Sequence, residues 1–190
     1  MATPADALTR LLEILDRSEI RYSIGGSVAS STHGIPRTTM DVDLVADIKP
    51  DQLGELVSLL QAEFYADAGM IRDALANGRS FNLIHYATAY KFDIFPLRQD
   101  EYSLLEFARR AFAEIRSVGP NPLECAVATA EDTILRKLEW YRAGGETSER
   151  QWSDLRGVLK VSGPRLDLAY LRHWAAHLKV DDLLDRLLAE

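Results

Sequence analysis

The 190-residue sequence contains a single cysteine, Cys125, so no disulfide can form within the chain. No apolar run approaches the ~20 residues that span a bilayer, and the first residues carry charges in place of an apolar signal core. We therefore expect a cytoplasmic protein without a membrane partner. Basic residues are fewer than acidic ones, 22 against 29, and the net charge of −7 argues against broad non-specific binding to nucleic acid.

The glycine motifs of two large nucleotide-binding classes are also missing. Neither Gly-x₄-Gly-Lys-Ser/Thr nor Gly-x-Gly-x-x-Gly occurs in the sequence, which disfavours a P-loop and a dinucleotide-binding site. No internal repeat and no low-complexity tract is present. Any nucleotide site in this chain must therefore be built in another way.

The hydrophobic pattern predicts an α/β (α+β) fold, with a small mixed β-sheet and flanking helices over residues 1–120. The segments SFNLIHY and AYKFDIFPL predict two strands of a hairpin. From Thr129 onward the pattern is only helical, so residues 121–190 are expected to form a helical region packed on the core. Trp140, Trp152 and Trp174 are predicted to lie in its interior.

Two aspartates stand inside a strand pattern in the segment RTTMDVDLV, residues 37–45. Side chains alternate along a strand, so Asp41 and Asp43 are expected on one face and Val42 and Leu44 on the other. Two carboxylates this close repel each other unless a cation lies between them, and Mg²⁺ commonly binds one or two carboxylates plus phosphates. The plainer alternative is an acidic strand face turned to solvent.

Two further features extend this pattern. Gly25, Gly26 and Ser27 stand at a strand-to-helix junction, where backbone N–H groups can approach a phosphate. The alternative is an ordinary tight turn with Ser27 as the helix N-cap. Asp93 stands inside the apolar strand segment YKFDIFP and needs a partner there. It either forms a salt bridge with Lys91 or Arg98, or it adds a third carboxylate to the same site.

In this order the segments IGGSVASSTHGIPRTTMDVDLV and KFDIF resemble the nucleotidyltransferase superfamily that includes DNA polymerase β. Within that superfamily the chain is most similar to the minimal bacterial AbiEii- and AbiGii-type toxins of abortive-infection and toxin–antitoxin systems. The segment HGIPRTTMDVDLV and the helix AEDTILRKLEW, which contains Lys137, carry this narrower resemblance. A later family motif has a basic and an acidic residue before its Asp, whereas this chain has RQWSDL, so Asp154 is assigned no role.

The resemblance implies a Mg²⁺-dependent enzyme that moves an NMP from an NTP to an acceptor hydroxyl and releases pyrophosphate. It makes three acids both the metal ligands and the catalytic residues, namely Asp41, Asp43 and Asp93. It implies a nucleotide-binding set of Gly25, Gly26, Ser27, Arg37, Thr39 and Lys137. For Arg37 and Thr39, bracing of the loop before the acidic strand is the alternative. For Lys137, the alternative is an ordinary surface lysine.

The acceptor stays open among a small molecule such as an aminoglycoside, a protein hydroxyl and a tRNA end. A second hypothesis is a catalytically silent nucleotide- or protein-binding member of a toxin–antitoxin pair, with a cognate antitoxin as its partner. A third is a glycosyltransferase that holds a sugar nucleotide with its Asp-x-Asp. The chain is short for a nucleotide-sugar domain, and the Gly-Gly-Ser turn would then have no role.

Overall fold

The computed structural model describes residues 2–190, and one mixed sheet of seven strands runs through them. The strands are β1 (Tyr22–Ile24), β2 (Asp41–Ala46), β3 (Phe64–Tyr65), β4 (Phe81–His85), β5 (Lys91–Pro96), β6 (Ala111–Ile115) and β7 (Leu123–Val127). Their order across the sheet is β3-β4-β5-β2-β1-β7-β6. Strand β2 runs parallel to β5, and β1 runs parallel to β7, while the remaining neighbours are antiparallel. The predicted mixed sheet and the β4–β5 hairpin are confirmed.

Nine α-helices occur within the same residues. They are α1 (Pro4–Arg17), α2 (Gly26–His33), α3 (Leu53–Leu60), α4 (Ala68–Ala76), α5 (Glu101–Arg109), α6 (Ala130–Ala143), α7 (Glu149–Ser162), α8 (Leu168–His177) and α9 (Asp181–Leu188). Local side-chain caps explain several of these starts, because Thr3, Asp100, Thr129 and Ser148 each accept a hydrogen bond from a backbone N–H of the first turn. None of these helices is long and apolar enough to cross a membrane.

Burial alternates along β2 and separates its two faces. Val42, Leu44 and Ala46 are fully buried and belong to the apolar cluster formed with α1, α3 and α4. Asp41, Asp43 and Val45 are only partly buried on the other face. The period-two pattern of DVDLVA therefore places both carboxylates on the sheet face opposite that cluster.

A second apolar cluster joins helices α5–α9. Tyr102 contributes from α5, Leu138 from α6 and Leu171 from α8. Trp152 and Trp174 are buried in this cluster, as predicted. The prediction for Trp140 is wrong, because 53% of this residue is exposed. Its position on α6 turns it away from the cluster and towards a cavity described below.

Strand β7 was not predicted, because its five residues stand just before the helical pattern and make a short apolar run with little periodicity. It pairs with β6 along its whole length and joins β1 through the pair Ile24 and Val127. The sheet therefore continues past the predicted division at residue 120. Strand β6 begins at Ala111, two residues after the end of α5 at Arg109.

Candidate active site

Three aspartates meet on one face of the sheet. Because β2 and β5 are parallel and in register, Asp43 lies directly beside Asp93, and Asp41 lies beside Lys91. Residues paired in this way project to the same face, so two strands that are distant in sequence bring the acids together. Asp93 also forms an ion pair with Lys91, whose Nζ lies 2.7 Å from Asp93 Oδ2. Both alternatives for Asp93 are thus present, because it forms the salt bridge with Lys91 and also lies beside Asp43.

The electrostatics of Asp43 reflect this crowding. Burial raises the pKa of Asp43 to about 6, and the nearby charges of Asp41 and Asp93 add to the rise. Lys137 and Lys91 oppose the shift but do not cancel it. A carboxylate held in this way gains from a bound cation, because the cation removes the repulsion that disfavours its ionised form.

The glycine turn contacts this acid pair directly. Gly25 N–H donates a hydrogen bond to the backbone oxygen of Asp43 at 2.9 Å. Gly26 has φ +54°, and a Cβ atom on it would lie 1.8 Å from Asp43 Oδ2. Only glycine therefore allows the first turn of α2 to lie against the carboxylate. Gly25 itself is the N-cap position of α2, so the expected alternative of Ser27 as the N-cap is wrong.

Ser27 and Thr39 connect the glycine turn to the acidic strand. Both are buried, and their hydroxyl oxygens lie 2.7 Å apart. Thr39 Oγ1 also lies 3.0 Å from both the backbone oxygen and Oδ1 of Asp41. Tyr90 OH donates to the backbone oxygen of Thr39 at 3.1 Å. These contacts match the bracing alternative for Thr39 and orient the carboxylate of Asp41.

Asp154 joins the two predicted cations on the helical side of the site. Arg37 donates two hydrogen bonds to its carboxylate, at 2.7 and 2.8 Å, and Lys137 Nζ donates a third at 2.8 Å. Burial alone would raise the pKa of Asp154, but the hydrogen bonds from Arg37 and Lys137 outweigh it and lower the pKa. Lys137 is 8% exposed and its pKa is lowered by burial, so the alternative of an ordinary surface lysine is wrong.

A cavity of about 490 Å³ opens between the acidic face of the sheet and helices α5–α7. Of the predicted site residues, seven line it: Gly25, Gly26, Ser27, Arg37, Asp41, Asp43 and Lys137. Asp93 and Thr39 are not part of this lining and reach the site through their contacts with Asp43 and Asp41. The predicted site residues in the cavity wall thus combine two carboxylates, the start of α2 and two cations, a set that suits a phosphorylated ligand with a cation.

The donor set fits Mg²⁺ through two carboxylates. Within residues 2–190, no three His, Cys, Asp or Glu side chains are arranged as a complete metal-ligand group. Mg²⁺ does not need one, because it typically takes one or two carboxylates and completes its shell with water and phosphate oxygens. Asp41 and Asp43 supply that pair, and Asp93 forms an ion pair with Lys91.

Several cavity residues were not expected from the sequence. Asp154 had no assigned role, although it forms the centre of the Arg37–Lys137 contacts. Glu106 and Arg136 form a buried ion pair at the wall, and burial raises the pKa of Glu106 to about 6. Trp140 lines the same cavity. No local motif marks these residues, because each depends on contacts between α5, α6 and α7.

No protein-family model matches the chain, and no curated protein sequence matches it. Solved structures that are similar in fold include the following two. One is ANT(2″)-Ia in complex with adenylyl-2″-tobramycin, with a TM-score of 0.53 and 16% identity over 91% of this chain and 95% of that chain. The other is an antigenic nucleotidyltransferase-like protein from Paracoccidioides brasiliensis, with a TM-score of 0.51 and 17% identity over 97% and 92%.

The chain has the nucleotidyltransferase fold. Both solved chains are covered over nearly their full length, so the similarity includes the helical half as well as the sheet. The fold expected from the resemblance is therefore confirmed. The narrower similarity to AbiEii-type toxins rests on the sequence motifs alone.

Proposed function

We propose that the protein is a Mg²⁺-dependent nucleotidyltransferase that moves an NMP from an NTP to an acceptor hydroxyl. The observation that carries this proposal is the convergence of Asp41, Asp43 and Asp93 on one sheet face, beside a cavity closed by a glycine turn. A catalytically silent protein would gain nothing from three mutually repelling carboxylates at this place. The positions of these acids therefore favour an enzyme over a silent nucleotide-binding protein.

The cations and the glycine turn are assigned to the triphosphate. The first residues of α2 line the cavity, and the start of the helix carries a partial positive charge. Lys137 and Arg37 supply full charges, and Asp154 holds both in place. Such fixed positive groups stabilise negative charge that develops on the phosphates as the bond to pyrophosphate breaks.

Asp41 and Asp43 are assigned as the residues that hold Mg²⁺. An ion held by these two residues would supply positive charge that offsets the charge of the phosphates. Thr39 keeps the Asp41 carboxylate oriented, and Gly26 leaves room for that of Asp43. Strand β2 thus presents two oxygen ligands whose positions are set before the nucleotide arrives.

Asp93 is assigned to the acceptor, as a proton acceptor or as a ligand of a second ion. The acceptor oxygen forms a bond to the α-phosphorus, the bond from that phosphorus to the bridging oxygen breaks, and pyrophosphate leaves with the electron pair. The hydroxyl proton passes to the carboxylate of Asp93. Lys91, which pairs with Asp93 in the free protein, must move aside or stay as a counter-ion.

The test is incubation with each α-labelled NTP, Mg²⁺ and separate acceptor pools of RNA, protein lysate and aminoglycosides. The aminoglycoside pool follows from the tobramycin product bound to ANT(2″)-Ia. We expect labelled product and pyrophosphate from the wild type and a loss of roughly 10³-fold in Asp41→Asn and Asp93→Asn. Asp73→Asn, an exposed acid on α4, is the matched control. Equal labelling by all four proteins would contradict the assignment.

The second candidate is the silent member of a toxin–antitoxin pair, which rests on the AbiEii-type motifs. It predicts tight co-purification with a cognate antitoxin and no release of pyrophosphate with any acceptor pool. A complex that forms equally well with the wild type and with Asp41→Asn, together with the absence of turnover, would favour it over the enzyme.

A further inference from the structure

The cavity continues beyond Lys137 into an aromatic pocket at the end of α6. Phe95, Trp140 and Gln151 line this part, together with Arg98 and Arg150. We define these five residues as the aromatic pocket. The proposed triphosphate site does not use any of them.

The α6–α7 hairpin places the aromatic pocket next to the triphosphate site. Lys137 of α6 contacts Asp154 of α7, and farther along α6 the ring of Tyr141 lies 5.0 Å from that of Trp152. The two helices are therefore antiparallel. Trp140, three residues after Lys137, and Gln151, three residues before Asp154, lie at the same level of the hairpin, about 4.5 Å farther along its axis. A ribose fits between a phosphate at Lys137 and a base at this level.

Trp140 has the environment of a stacking surface. It is 53% exposed, whereas Trp152 and Trp174 are 4% and 5% exposed. Its aromatic neighbour is Phe95, whose ring meets it edge-on with centroids 6.2 Å apart. The exposure of Trp140 leaves part of the indole surface available to a ligand. Exposed tryptophans beside phosphate-binding residues stack on nucleobases of any sequence.

Gln151 has the environment of a base-reading residue. Its Oε1 is buried and accepts no hydrogen bond from any group within residues 2–190. The backbone N–H of Gln151 is satisfied by Ser148, so the cap does not need the side-chain amide. A buried acceptor without a partner favours a ligand that brings a donor. A glutamine amide pairs with an amino group and an adjacent ring nitrogen, the edge that adenine presents.

The charges in the aromatic pocket disfavour a cationic occupant. Arg98 and Arg150 are exposed, and neither forms an ion pair within residues 2–190. Two guanidinium groups without an ion pair disfavour an aminoglycoside and favour a planar neutral base attached to phosphates.

We infer that the aromatic pocket binds the base of the NTP, with Trp140 stacking on it and Gln151 selecting a base that carries an exocyclic amino group next to a ring nitrogen, adenine or cytosine. This inference rests on the proposed nucleotidyltransferase function. It adds a preference among the four NTPs that the motifs alone leave open.

The experiment is a titration of protein fluorescence with two nucleotide pairs that differ at the amino position, ATP against ITP and CTP against UTP, all with Mg²⁺. We expect ATP or CTP to quench the fluorescence and to bind roughly tenfold more tightly than its oxo counterpart. Trp140→Phe should abolish the quench. Trp140→Ala should weaken nucleotide binding, measured by calorimetry, by roughly tenfold. Gln151→Leu should bring the amino and oxo nucleotides to equal affinity.

Phe112→Ala is the control, because Phe112 is 73% exposed on β6 and lies outside the cavity lining. Equal binding of the amino and oxo nucleotides by the wild type, or a quench that appears only after an acceptor is added, would overturn the inference. Labelled transfer product without any quench would overturn the inference and leave the proposed function standing. A quench with the expected preference but no transfer to any acceptor would support the pocket and count against the enzyme.

Discussion

The two walls of the active-site cavity arise in different ways. The sheet wall comes from residues 22–46, where strand, glycine turn, helix and acidic strand follow one another directly in the sequence. The helical wall comes from α6 and α7, and its central contact joins Arg37 to Asp154 across 117 positions. Short-range spacing is enough to specify the part of the first wall that holds Asp41 and Asp43, whereas the second wall depends on how the helices pack on the sheet.

The largest effect should come from the sheet wall, at its closest contact. Gly26→Ala places a methyl group where Asp43 Oδ2 lies, at a φ of +54° that already disfavours a side chain. We expect nucleotidyl transfer to fall roughly 10²–10³-fold, because the carboxylate must leave its position. Initial-rate assays with a labelled NTP measure this loss.

Gly25→Ala is the matched control in the same turn. Its φ is −122°, and no atom lies within 4 Å of the Cβ position. Transfer should therefore change by only a few fold. If both variants lost activity equally, the contact between Gly26 and Asp43 would not be the reason for the glycine.

A substitution in the helical wall should change the free energy of unfolding. Asp154→Asn removes the charge that compensates both Arg37 and Lys137, whose side chains are 27% and 10% exposed. An uncompensated buried cation is strongly unfavourable, so the free energy of unfolding should fall by about 2–3 kcal/mol. Urea denaturation measures this change. Asp182→Asn removes the exposed Arg142–Asp182 pair and should have little effect.

If Asp154→Asn were no more harmful than Asp182→Asn, the buried contacts of Asp154 would not hold the helical wall together. A loss of stability with full transfer activity would show instead that the contacts are structural only. These two results separate the packing role of Asp154 from its assigned role in holding Lys137 for the triphosphate.

The same division explains what the sequence could predict. The alternation of DVDLVA placed Asp41 and Asp43 on one face, and the strand pattern of KFDIF placed Asp93 on a separate strand. Which strand lies beside β2 is set by long-range pairing, so the resemblance, and not the spacing, supplied the expectation that the acids meet. The sheet face could thus be predicted closely.

The helical wall could not be predicted in the same way. The sequence around Asp154 does not identify its two basic partners, because Lys137 is on α6 and Arg37 is in the loop before β2. Trp140 has the helical spacing of a core residue, but α6 has a cavity on one side and the apolar cluster on the other. Helical periodicity identifies a face and does not say what covers it.

The smallest expected effect is the loss of folding stability that accompanies ionisation of Asp43 on the acidic face. The pKa of Asp43 is raised by burial, to about 6, so between pH 4 and pH 6 the folded state binds more protons than the unfolded state. The contribution of Asp43 to folding stability is therefore present at low pH and is lost as the pH rises through 6. Relative to Asp43→Asn, the wild type should lose about 2 kcal/mol between pH 4 and pH 7.5.

The measurement is the difference in unfolding free energy between wild type and Asp43→Asn at the two pH values, in which the titration of groups distant from Asp43 cancels. A constant difference would mean that neither burial nor the neighbouring carboxylates raise the pKa of Asp43. Added Mg²⁺ at pH 7.5 should stabilise the wild type more than Asp43→Asn, because only the ionised pair offers two carboxylates to the ion. The repulsion of Asp43 by Asp41 and Asp93, which lowers folding stability, would then also favour cation binding.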